Sequence, residues 1–266
     1  MNNQELVSGY EFYKLCKWCI CPRYEINFNP DEMKENDFVF LNLDYFNILL
    51  EKCQFVKNKF RLITHNSDLS FTDYHFNCLK PYVHKVYAIN SICNNENVIK
   101  IPIGFVDDKY KPHFKFYNIL NEKYEKNILL YMNFSINTNI EKREICYHTF
   151  KNESWIIKEN NIDPLEFYKK IACSKYILSP EGTGIDCHRI YESIFFNSIP
   201  ILKTSNLDDF YNNLPLIIVN NWNEVTYDFL NKNYERYYNN LILWKTKHPH
   251  WLDAKYWLIY KSIYSR

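Results

Sequence analysis

The sequence predicts an α/β protein of two domains, each built on a parallel β-sheet. Short apolar runs typical of buried strands alternate with segments of helical periodicity along most of the 266 residues. A polar and aromatic stretch without a clear period separates two such series. With 47% hydrophobic and 24% charged residues, the chain is long enough to bury the cores of two small domains.

The first domain is predicted at residues 1–120. We expect residues 1–36 to be irregular, because they show no clear apolar period. The predicted elements after them are a strand at 38–43, a helix at 48–53, a strand at 60–64, a helix at 74–79, and strands at 86–89 and 98–101. Strands that alternate with helices pair in parallel through right-handed crossovers, so a parallel sheet follows.

The second domain is predicted at residues 121–250, with a connection at 105–126. Its predicted strands lie at 127–132, 155–157, 175–178, 199–202 and 216–219. Two of its helices have start signals. Thr138 with Glu141 indicates a capping box, and Asp163 stands before a first-turn proline.

Composition limits the possible partners and surroundings. The formal net charge is +1 and the pI about 7.5, so no overall field attracts nucleic acid or anionic lipid. The nine cysteines show no paired framework, and Cys16, Cys19 and Cys21 lack a second metal-binding pair, which favours free thiols and a reducing compartment. No apolar run approaches the ~18 residues of a membrane span. We therefore expect a soluble, cytoplasmic protein with no transmembrane segment.

The most informative stretch lies between the strand at 175–178 and a helix, and it reads Ser-Pro-Glu-Gly-Thr-Gly-Ile-Asp-Cys-His-Arg-Ile-Tyr-Glu over residues 179–192. Gly182 and Gly184 let the backbone come close to a bound group. The helix, which we expect to begin near Asp186, points free N–H groups and its positive dipole end at the same place. The predicted ligand is an anion.

Arg189 and Glu192 sharpen this prediction because they are three residues apart on one helix face. A guanidinium there can bind two phosphate oxygens, while the carboxylate accepts hydrogen bonds from the hydroxyls of a ribose. Together they describe a nucleoside diphosphate. The alternative is a helix capped by Asp186 with a surface ion pair between Arg189 and Glu192.

These residues, with Ile-Pro at 199–200, resemble the donor-site signature of exostosin-like glycosyltransferases, including small versions encoded by large DNA viruses. The resemblance is strongest over residues 175–202. Asn197 stands where the family usually has Gly, and Asn best tolerates a left-handed backbone. In the competing retaining pattern two glutamates lie eight residues apart, whereas Glu181 and Glu192 are eleven apart.

The resemblance implies a GT-B architecture, in which two Rossmann-like domains face a cleft and a C-terminal helix, within residues 251–266, crosses back to the first domain. It also implies an inverting hexosyl- or pentosyltransferase that moves a sugar from a nucleoside diphosphate, with UDP favoured, to a glycan hydroxyl. A viral member would act in the host cytoplasm. One alternative is a GDP-sugar-dependent, fucosyltransferase-like enzyme, although that family normally has Lys where Arg189 stands. Another is an inactive nucleotide- or glycan-binding protein.

The donor-binding candidates come from the motif and from loops expected at the same sheet edge. They are Gly104, Asn133, Thr138, Arg143, Ser179, Glu181, Gly182, Gly184, Asp186, Arg189 and Glu192. Arg143 resembles part of the family's other phosphate-side loop, and its alternative is a solvated helix-surface residue near Glu144. Glu181 can touch sugar or phosphate, or else support backbone N–H groups of its loop.

The catalytic base is sought in the first domain. Asp68 follows a strand end, where desolvation can raise a carboxylate pKa toward working pH. Its alternative role is to cap the next helix, and His65 is the alternative base or a sugar contact. No metal or cofactor is expected, because the sequence has no Asp-x-Asp between strands, and the adjacent carboxylates at 107–108 and 208–209 point to opposite sides of an extended chain.

Overall fold

The structure of the protein, a computed structural model, describes residues 6–107, 119 and 122–264, without the side chains of 260–264. The connection predicted at 105–126 thus lies largely outside the described residues. Contacts between residues divide the chain into two compact units. The first unit is Gln4–Gly104 with His250–Arg266, and the second unit is Phe105–Pro249.

The described residues form eleven strands and nine α-helices. The strands are β1 Trp18–Cys21, β2 Glu25–Ile26, β3 Phe38–Leu41, β4 Phe60–Thr64, β5 Val83–Ala88, β6 Val98–Lys100, β7 Ile128–Met132, β8 Ile156–Lys158, β9 Ser174–Leu178, β10 Ile199–Lys203 and β11 Ile217–Val219. The helices are α1 Gly9–Tyr13, α2 Phe46–Cys53, α3 Asp73–Leu79, α4 Ile140–Phe150, α5 Pro164–Cys173, α6 His188–Phe195, α7 Asp208–Tyr211, α8 Tyr227–Lys247 and α9 Ala254–Tyr264.

The sheet of the first unit has the order β2-β1-β3-β4-β5-β6. β2 forms an antiparallel hairpin with β1, and the other neighbouring strands are parallel, with Leu41 opposite Thr64 between β3 and β4. Leu49 of α2 and Phe76 of α3 belong to one core with residues of this sheet. In the same unit α9 contacts α1, and Val7 N donates to Leu252 O at 2.7 Å.

β1 shows that the prediction of an irregular segment at residues 1–36 was wrong. All four of its residues are buried, and it pairs in parallel with β3. Cys19 and Cys21 are free thiols in this strand, and burial raises the pKa of Cys19 to about 12. A strand of four residues is too short to show a period, so pairing with β3 and burial determine it rather than local pattern.

The sheet of the second unit has the order β11-β10-β9-β7-β8 and is parallel throughout. Its core combines residues of these strands with Cys146 and Phe150 of α4 and Trp222 after β11. Asp163 caps α5 as predicted, because its side chain accepts from Leu165 N and Pro164 follows it. Two parallel sheets with surrounding helices confirm the predicted α/β fold class.

Helix α8 is the largest element that the sequence did not predict. Thr226 caps it by accepting from Phe229 N, yet only Leu230 and Leu241 of its 21 residues are buried. Its contact face consists mainly of partly buried aromatic side chains, among them Tyr234 and Tyr238. Tyrosines in a chain this rich in Asn and Lys do not produce a clear apolar stripe.

Candidate functional site

The strand order of the second unit reverses at β7. From β7 the chain moves to one edge to form β8, then crosses to the other side to form β9, β10 and β11 in turn. In parallel α/β sheets, ligands bind outside the carboxyl ends of the strands at such a reversal. Two loops lie there, the β7 loop (residues 133–139) and the β9 loop (residues 179–187).

Hydrogen bonds join these two loops to each other. Asn139 Nδ2 donates to Gly182 O at 2.7 Å, and Thr183 Oγ1 donates to Thr138 O at 3.2 Å. Arg143, in the first turn of α4, donates from Nε to Glu181 O at 2.9 Å. The site therefore consists of one connected surface and does not depend on two independent loops.

Arg143 is 7% exposed, so the alternative of a solvated surface arginine near Glu144 was wrong. Its Nη1 donates to Ser135 O at 2.8 Å. A Cβ at Gly182 would lie 2.9 Å from Arg143 Nη2, which explains the glycine by the close approach of this guanidinium. Gly182 makes room for a cation that can itself bind the ligand.

Arg189, in the first turn of α6, lies beside Arg143. The ring of Phe134 lies 5.7 Å from Arg143 Cζ and 6.0 Å from Arg189 Cζ, so one aromatic ring supports both guanidiniums. Burial, and then the charge of Arg189, lowers the pKa of Arg143. Within the described parts of the chain, neither arginine forms an ion pair with a carboxylate.

Two polar groups at the same place lack a hydrogen-bond partner among the described residues. They are the hydroxyl of Ser179, which is 2% exposed, and Nε of Arg189, whose atom is buried. Nearly all buried polar groups in proteins have a partner, so such a pair indicates an occupant that is not part of the chain. The two adjacent guanidiniums and the Ser179 hydroxyl can together bind an anion that has several oxygens.

Asp186 supports the β9 loop from inside the unit. The helix begins at His188 with Cys187 as its N-cap residue, so the prediction that Asp186 caps it was wrong. Instead Asp186 is buried, and its two carboxylate oxygens accept from Tyr191 at 2.7 Å and from Tyr211 at 3.1 Å. Burial and this carboxylate raise the pKa of both tyrosines, which keeps them as hydrogen-bond donors.

Glu192 is 2% exposed and accepts from the Tyr168 hydroxyl of α5 at 3.2 Å. Burial and the Glu192 carboxylate raise the pKa of Tyr168. The alternative of a surface ion pair between Glu192 and Arg189 was therefore wrong. The carboxylate lies one turn deeper than Arg189, and its contact with a ribose stays a prediction.

The β7 loop differs from its prediction in one detail. Asn139, not Thr138, caps α4 by accepting from Lys142 N, so the capping box of Thr138 with Glu141 was wrong. Thr138 instead ends a short 3₁₀ turn and donates to Ser135 O at 3.0 Å. Asn competes well for this position because its side-chain oxygen reaches the free N–H groups of the first turn.

Asn133 directly follows β7, and its side chain is turned toward neighbouring polar groups. It donates to the Tyr131 hydroxyl at 3.0 Å, which in turn donates to Glu159 Oε2 at 3.0 Å. This short chain of hydrogen bonds orients the amide at the start of the β7 loop.

A pocket of about 250 Å³ lies beside the β9 loop. Burial raises the pKa of the Glu181 carboxyl there, while Lys142 and Lys203 oppose the shift. Its lining residues are Lys142, Ile145, Pro180, Glu181, Lys203, Thr204 and Trp222. The pocket thus offers hydrogen-bond donors, an acceptor and one aromatic side chain, and its Glu181 accepts from Arg143 through the backbone carbonyl.

A family model described as the RXYLT1 C-terminal domain matches residues 116–257, just over half of the chain. The chain belongs to the RXYLT1 C-terminal domain family. This family is xylosyltransferase-like and exostosin-related, and membership supports sugar transfer as the general activity. The match spans both loops of the site described above.

Solved structures give weaker similarities. T4 phage β-glucosyltransferase is 11% identical, with a TM-score of 0.38, over 85% of this chain and 83% of that one. The pneumococcal O-GlcNAc transferase GtfA, in complex with UDP and GlcNAc, is 10% identical, with a TM-score of 0.36, over 83% and 52%. AviGT4, a glycosyltransferase of avilamycin A biosynthesis, is 11% identical, with a TM-score of 0.37, over 84% and 87%. Such low TM-scores carry no weight here, and no curated protein matches the sequence.

In the first unit of this RXYLT1 C-terminal domain family member, His65 directly follows β4 and is 1% exposed. Its ring lies against those of Phe12 and Phe40, with centroids 5.5 and 6.4 Å away. Nδ1 lies 2.9 Å from Asn66 N, which donates to it. The imidazole of His65 is therefore buried inside this unit.

Asp68 is exposed, so the burial expected around it is absent from this structure. It does not cap α3 either, because Thr72 is the N-cap residue and forms a capping box with His75. Helix capping, the alternative role considered for Asp68, was wrong. The carboxylate stands in solvent three residues beyond His65.

Gly104 has a φ of 66°. It is the last residue of the Gln4–Gly104 segment of the first unit. A Cβ here would lie 2.2 Å from Val7 O, so both the backbone conformation and the contact require glycine. Its contribution to donor binding stays a prediction.

Several residues that shape the site were not among the candidates predicted from the sequence. Phe134 was not a candidate, although its place directly after the strand end and before Arg143 is a usable signal. Asn139 was passed over in favour of Thr138. The roles of Tyr191 and Tyr211 had no local signal, because each depends on a buried carboxylate reached through the fold.

Neither a metal-binding cluster nor a membrane-spanning helix is present among the described residues. No cluster of three or more His, Cys, Asp or Glu side chains is arranged to hold a metal ion in residues 6–107, 119 or 122–264. In the same residues, none of the helices combines the length and the apolar character that crossing a membrane requires.

Proposed function

We propose that the protein is an inverting glycosyltransferase that moves a sugar from a UDP-sugar to a glycan hydroxyl in one displacement. The observation that carries this proposal is the pair Arg143 and Arg189, which share Phe134, lack a carboxylate partner in the described chain and lie at the strand-order reversal. A nucleoside diphosphate supplies the anion that this arrangement lacks.

In a single displacement the acceptor hydroxyl attacks the anomeric carbon while the nucleoside diphosphate leaves from the opposite face. Negative charge grows on the leaving phosphate oxygens, and two guanidiniums fixed beforehand stabilise that charge without reorganising. Arg143 is fixed by its bonds to Glu181 O and Ser135 O. We assign charge stabilisation to Arg143 and Arg189, with no metal ion or cofactor.

We assign the acceptor and the catalytic base to the first unit. Asp68 is the preferred base because its carboxylate is exposed and can meet an acceptor hydroxyl, whereas His65 is closed in the core with Nδ1 occupied by Asn66. Binding of acceptor next to Asp68 would bring the acceptor hydroxyl within hydrogen-bond reach of the carboxylate.

The pocket beside Glu181 is assigned to the sugar of the donor. One of its lining residues, Glu181, accepts from Arg143 through its carbonyl oxygen. Its lysines, carboxyl and Trp222 can contact the hydroxyls and the apolar face of one sugar ring. Both a hexose and a pentose are candidates, and the family relation makes UDP-xylose one of the donors to test.

The test is a thermal-unfolding panel with UDP, GDP and CMP, followed by release of nucleoside diphosphate from UDP-glucose and UDP-xylose with and without acceptor glycans. We expect stabilisation by UDP and acceptor-dependent release, with an inverted anomeric configuration in the NMR spectrum of the product. Stabilisation by GDP alone would select the fucosyltransferase-like alternative. UDP binding without transfer to any acceptor would select the inactive binding protein.

A further inference from the structure

Helix α6, which carries Arg189, ends in a tight turn that caps its last carbonyl groups. Asn197 has a φ of 57°, which confirms the left-handed backbone predicted for it. Its N–H donates to Ile194 O at 3.1 Å, and Ser198 N donates to Ser193 O at 2.8 Å. This is a Schellman motif with Asn in place of Gly, and it satisfies two of the final carbonyls of the helix.

The next two carbonyls are taken by lysines that come from distant parts of the chain. Lys245, near the end of α8, donates to Phe195 O at 3.2 Å and to Asn197 Oδ1 at 2.6 Å. Lys126, just before β7, donates to Phe196 O at 2.8 Å. Every carbonyl from Ser193 to Phe196 therefore has a donor.

Both ammonium groups are largely buried, and they lie at the negative end of the helix dipole. Lys126 also donates to Ser198 Oγ at 2.7 Å, and that hydroxyl contacts Ile171 O and Ser174 O. Burial lowers the pKa of Lys126 to about 7 and that of Lys245 to about 8. Cys173 and Lys245 are the other titratable groups that act on Lys126 among the described residues.

Lys126 and Lys245 join the end of α6 to the residues before β7 and to α8. α6 has eight residues and so is about 12 Å long, with its first turn in the β9 loop and its last turn between the two lysines. A rigid helix of that length transmits a shift or rotation at one end to the other. The position of Arg189 therefore depends on how its far end is held.

We propose that Lys126 and Lys245 are positioning residues of the donor site, which hold α6 by its carbonyl end and thereby keep Arg189 and Glu192 in place. The assignment of α6 to donor binding rests on the proposed function. The two lysines touch neither donor nor acceptor in this proposal, and they act through the helix.

The test compares Lys245→Met and Lys126→Met with wild type by UDP titration calorimetry and by hydrogen exchange of α6 in nucleotide-free protein. The matched control is Lys52→Met, which removes a lysine-to-carbonyl bond, to Phe28 O at 3.0 Å, in the first unit. We expect each test variant to weaken UDP binding at least fivefold and to speed exchange in the first turn, residues 188–192. The control should leave both quantities unchanged.

UDP affinity within twofold of wild type, with faster exchange confined to residues 194–198, would overturn the proposal, since the lysines would then act only locally. Should Lys245→Met fail to fold, Lys245→Gln keeps one donor and must give an intermediate effect. If wild type itself does not bind UDP, the proposed function fails, and exchange at residues 188–192 alone decides the positioning role: faster exchange supports it and unchanged exchange overturns it.

Discussion

The two sheets of this chain look alike in content but differ in strand order, and the difference predicts where ligand-binding loops can form. In the first unit the parallel strands follow one another across the sheet in chain order, β1-β3-β4-β5-β6. In the second unit the order reverses at β7, which opens a crevice between the β7 and β9 loops.

The loops after β4 and after β9 also differ in their hydrogen bonding. After β4, the loop is hydrogen-bonded to neighbouring loops of its own unit: Asn42 Nδ2 donates to Asn66 O at 2.8 Å, Asn66 donates to Tyr24, and Ser67 donates to Asp44. After β9, Asp186 supports the loop from the interior of the unit. Arg143 and Arg189 have no carboxylate partner there, and the Ser179 hydroxyl has no hydrogen-bond partner in the described chain. The hydroxyl of Thr64 at the end of β4 also lacks a hydrogen-bond partner among the described residues, so such groups alone do not distinguish the two places. The strand-order reversal, together with two adjacent arginines that lack a carboxylate partner in the described chain, distinguishes the second unit.

The proposed function places the catalytic base in the first unit and donor binding in the second, and Asp68→Asn tests this division with the largest expected effect. Loss of a general base lowers turnover by about 100- to 10,000-fold. UDP affinity should stay within twofold, because the substitution lies outside the nucleotide unit. Steady-state release of nucleoside diphosphate and UDP calorimetry measure the two effects. Asp31→Asn, another exposed carboxylate of the first unit, is the control. Normal turnover in Asp68→Asn would show that Asp68 is not the catalytic base.

Arg189→Ala should affect both quantities, in contrast to Asp68→Asn. Removing one preorganised donor to the developing charge costs about 100- to 1,000-fold in kcat/KM. UDP binding should weaken as well, since in the proposed function the Arg189 guanidinium already binds the diphosphate before the reaction. Arg236→Ala, which removes an exposed arginine over Tyr237 on α8, should change neither. Equal UDP affinity in wild type and Arg189→Ala would contradict the assignment.

Tyr191→Phe tests whether Asp186 holds the β9 loop. The change removes the 2.7 Å hydrogen bond from the Tyr191 hydroxyl to Asp186 Oδ2, and removing one partner of a buried hydrogen bond to a charged group lowers the free energy of unfolding by about 1–3 kcal/mol. Urea unfolding monitored by tryptophan fluorescence measures it. Tyr238→Phe is the matched control, because the Tyr238 hydroxyl makes no hydrogen bond to the described residues. Equal stability losses in the two variants would show that Asp186 does not depend on Tyr191.

Lys126 gives the smallest expected effect, a change in the pH dependence of stability. Its folded pKa of about 7 lies below the ordinary lysine value of 10.5, so the unfolded chain binds more protons between those pH values. Stability contributed by this group therefore rises with pH over that window. In Lys126→Met the rise in unfolding free energy between pH 7 and pH 9.5 should be smaller than in wild type. Identical slopes would mean that Lys126 titrates normally.

Local pattern predicted the elements whose residues are apolar, β-branched and several residues long, such as β4 at Phe60–Thr64. It failed where structure depends on long-range partners. β1 is a strand because β3 lies beside it, and α8 is a helix whose packing face is aromatic rather than aliphatic. Neither condition is visible in a window of ten residues.

The site shows the same limit. The β9 loop and Arg189 could be placed from the glycines and the helix register. The partners of Glu192 and Asp186 could not, because Tyr168 and Tyr211 reach them from other helices, 24 and 25 residues away along the chain. The hydrogen-bond partners of a buried carboxylate depend on which hydroxyls the fold brings to it. Spacing along the sequence does not reveal those partners.

The most direct test of the central claim is a crystal structure of the protein with UDP bound. We expect the diphosphate between the β7 and β9 loops, with oxygens about 3 Å from the guanidiniums of Arg143 and Arg189 and from the Ser179 hydroxyl. A UDP molecule bound elsewhere, with both arginines and Ser179 unoccupied, would contradict the account.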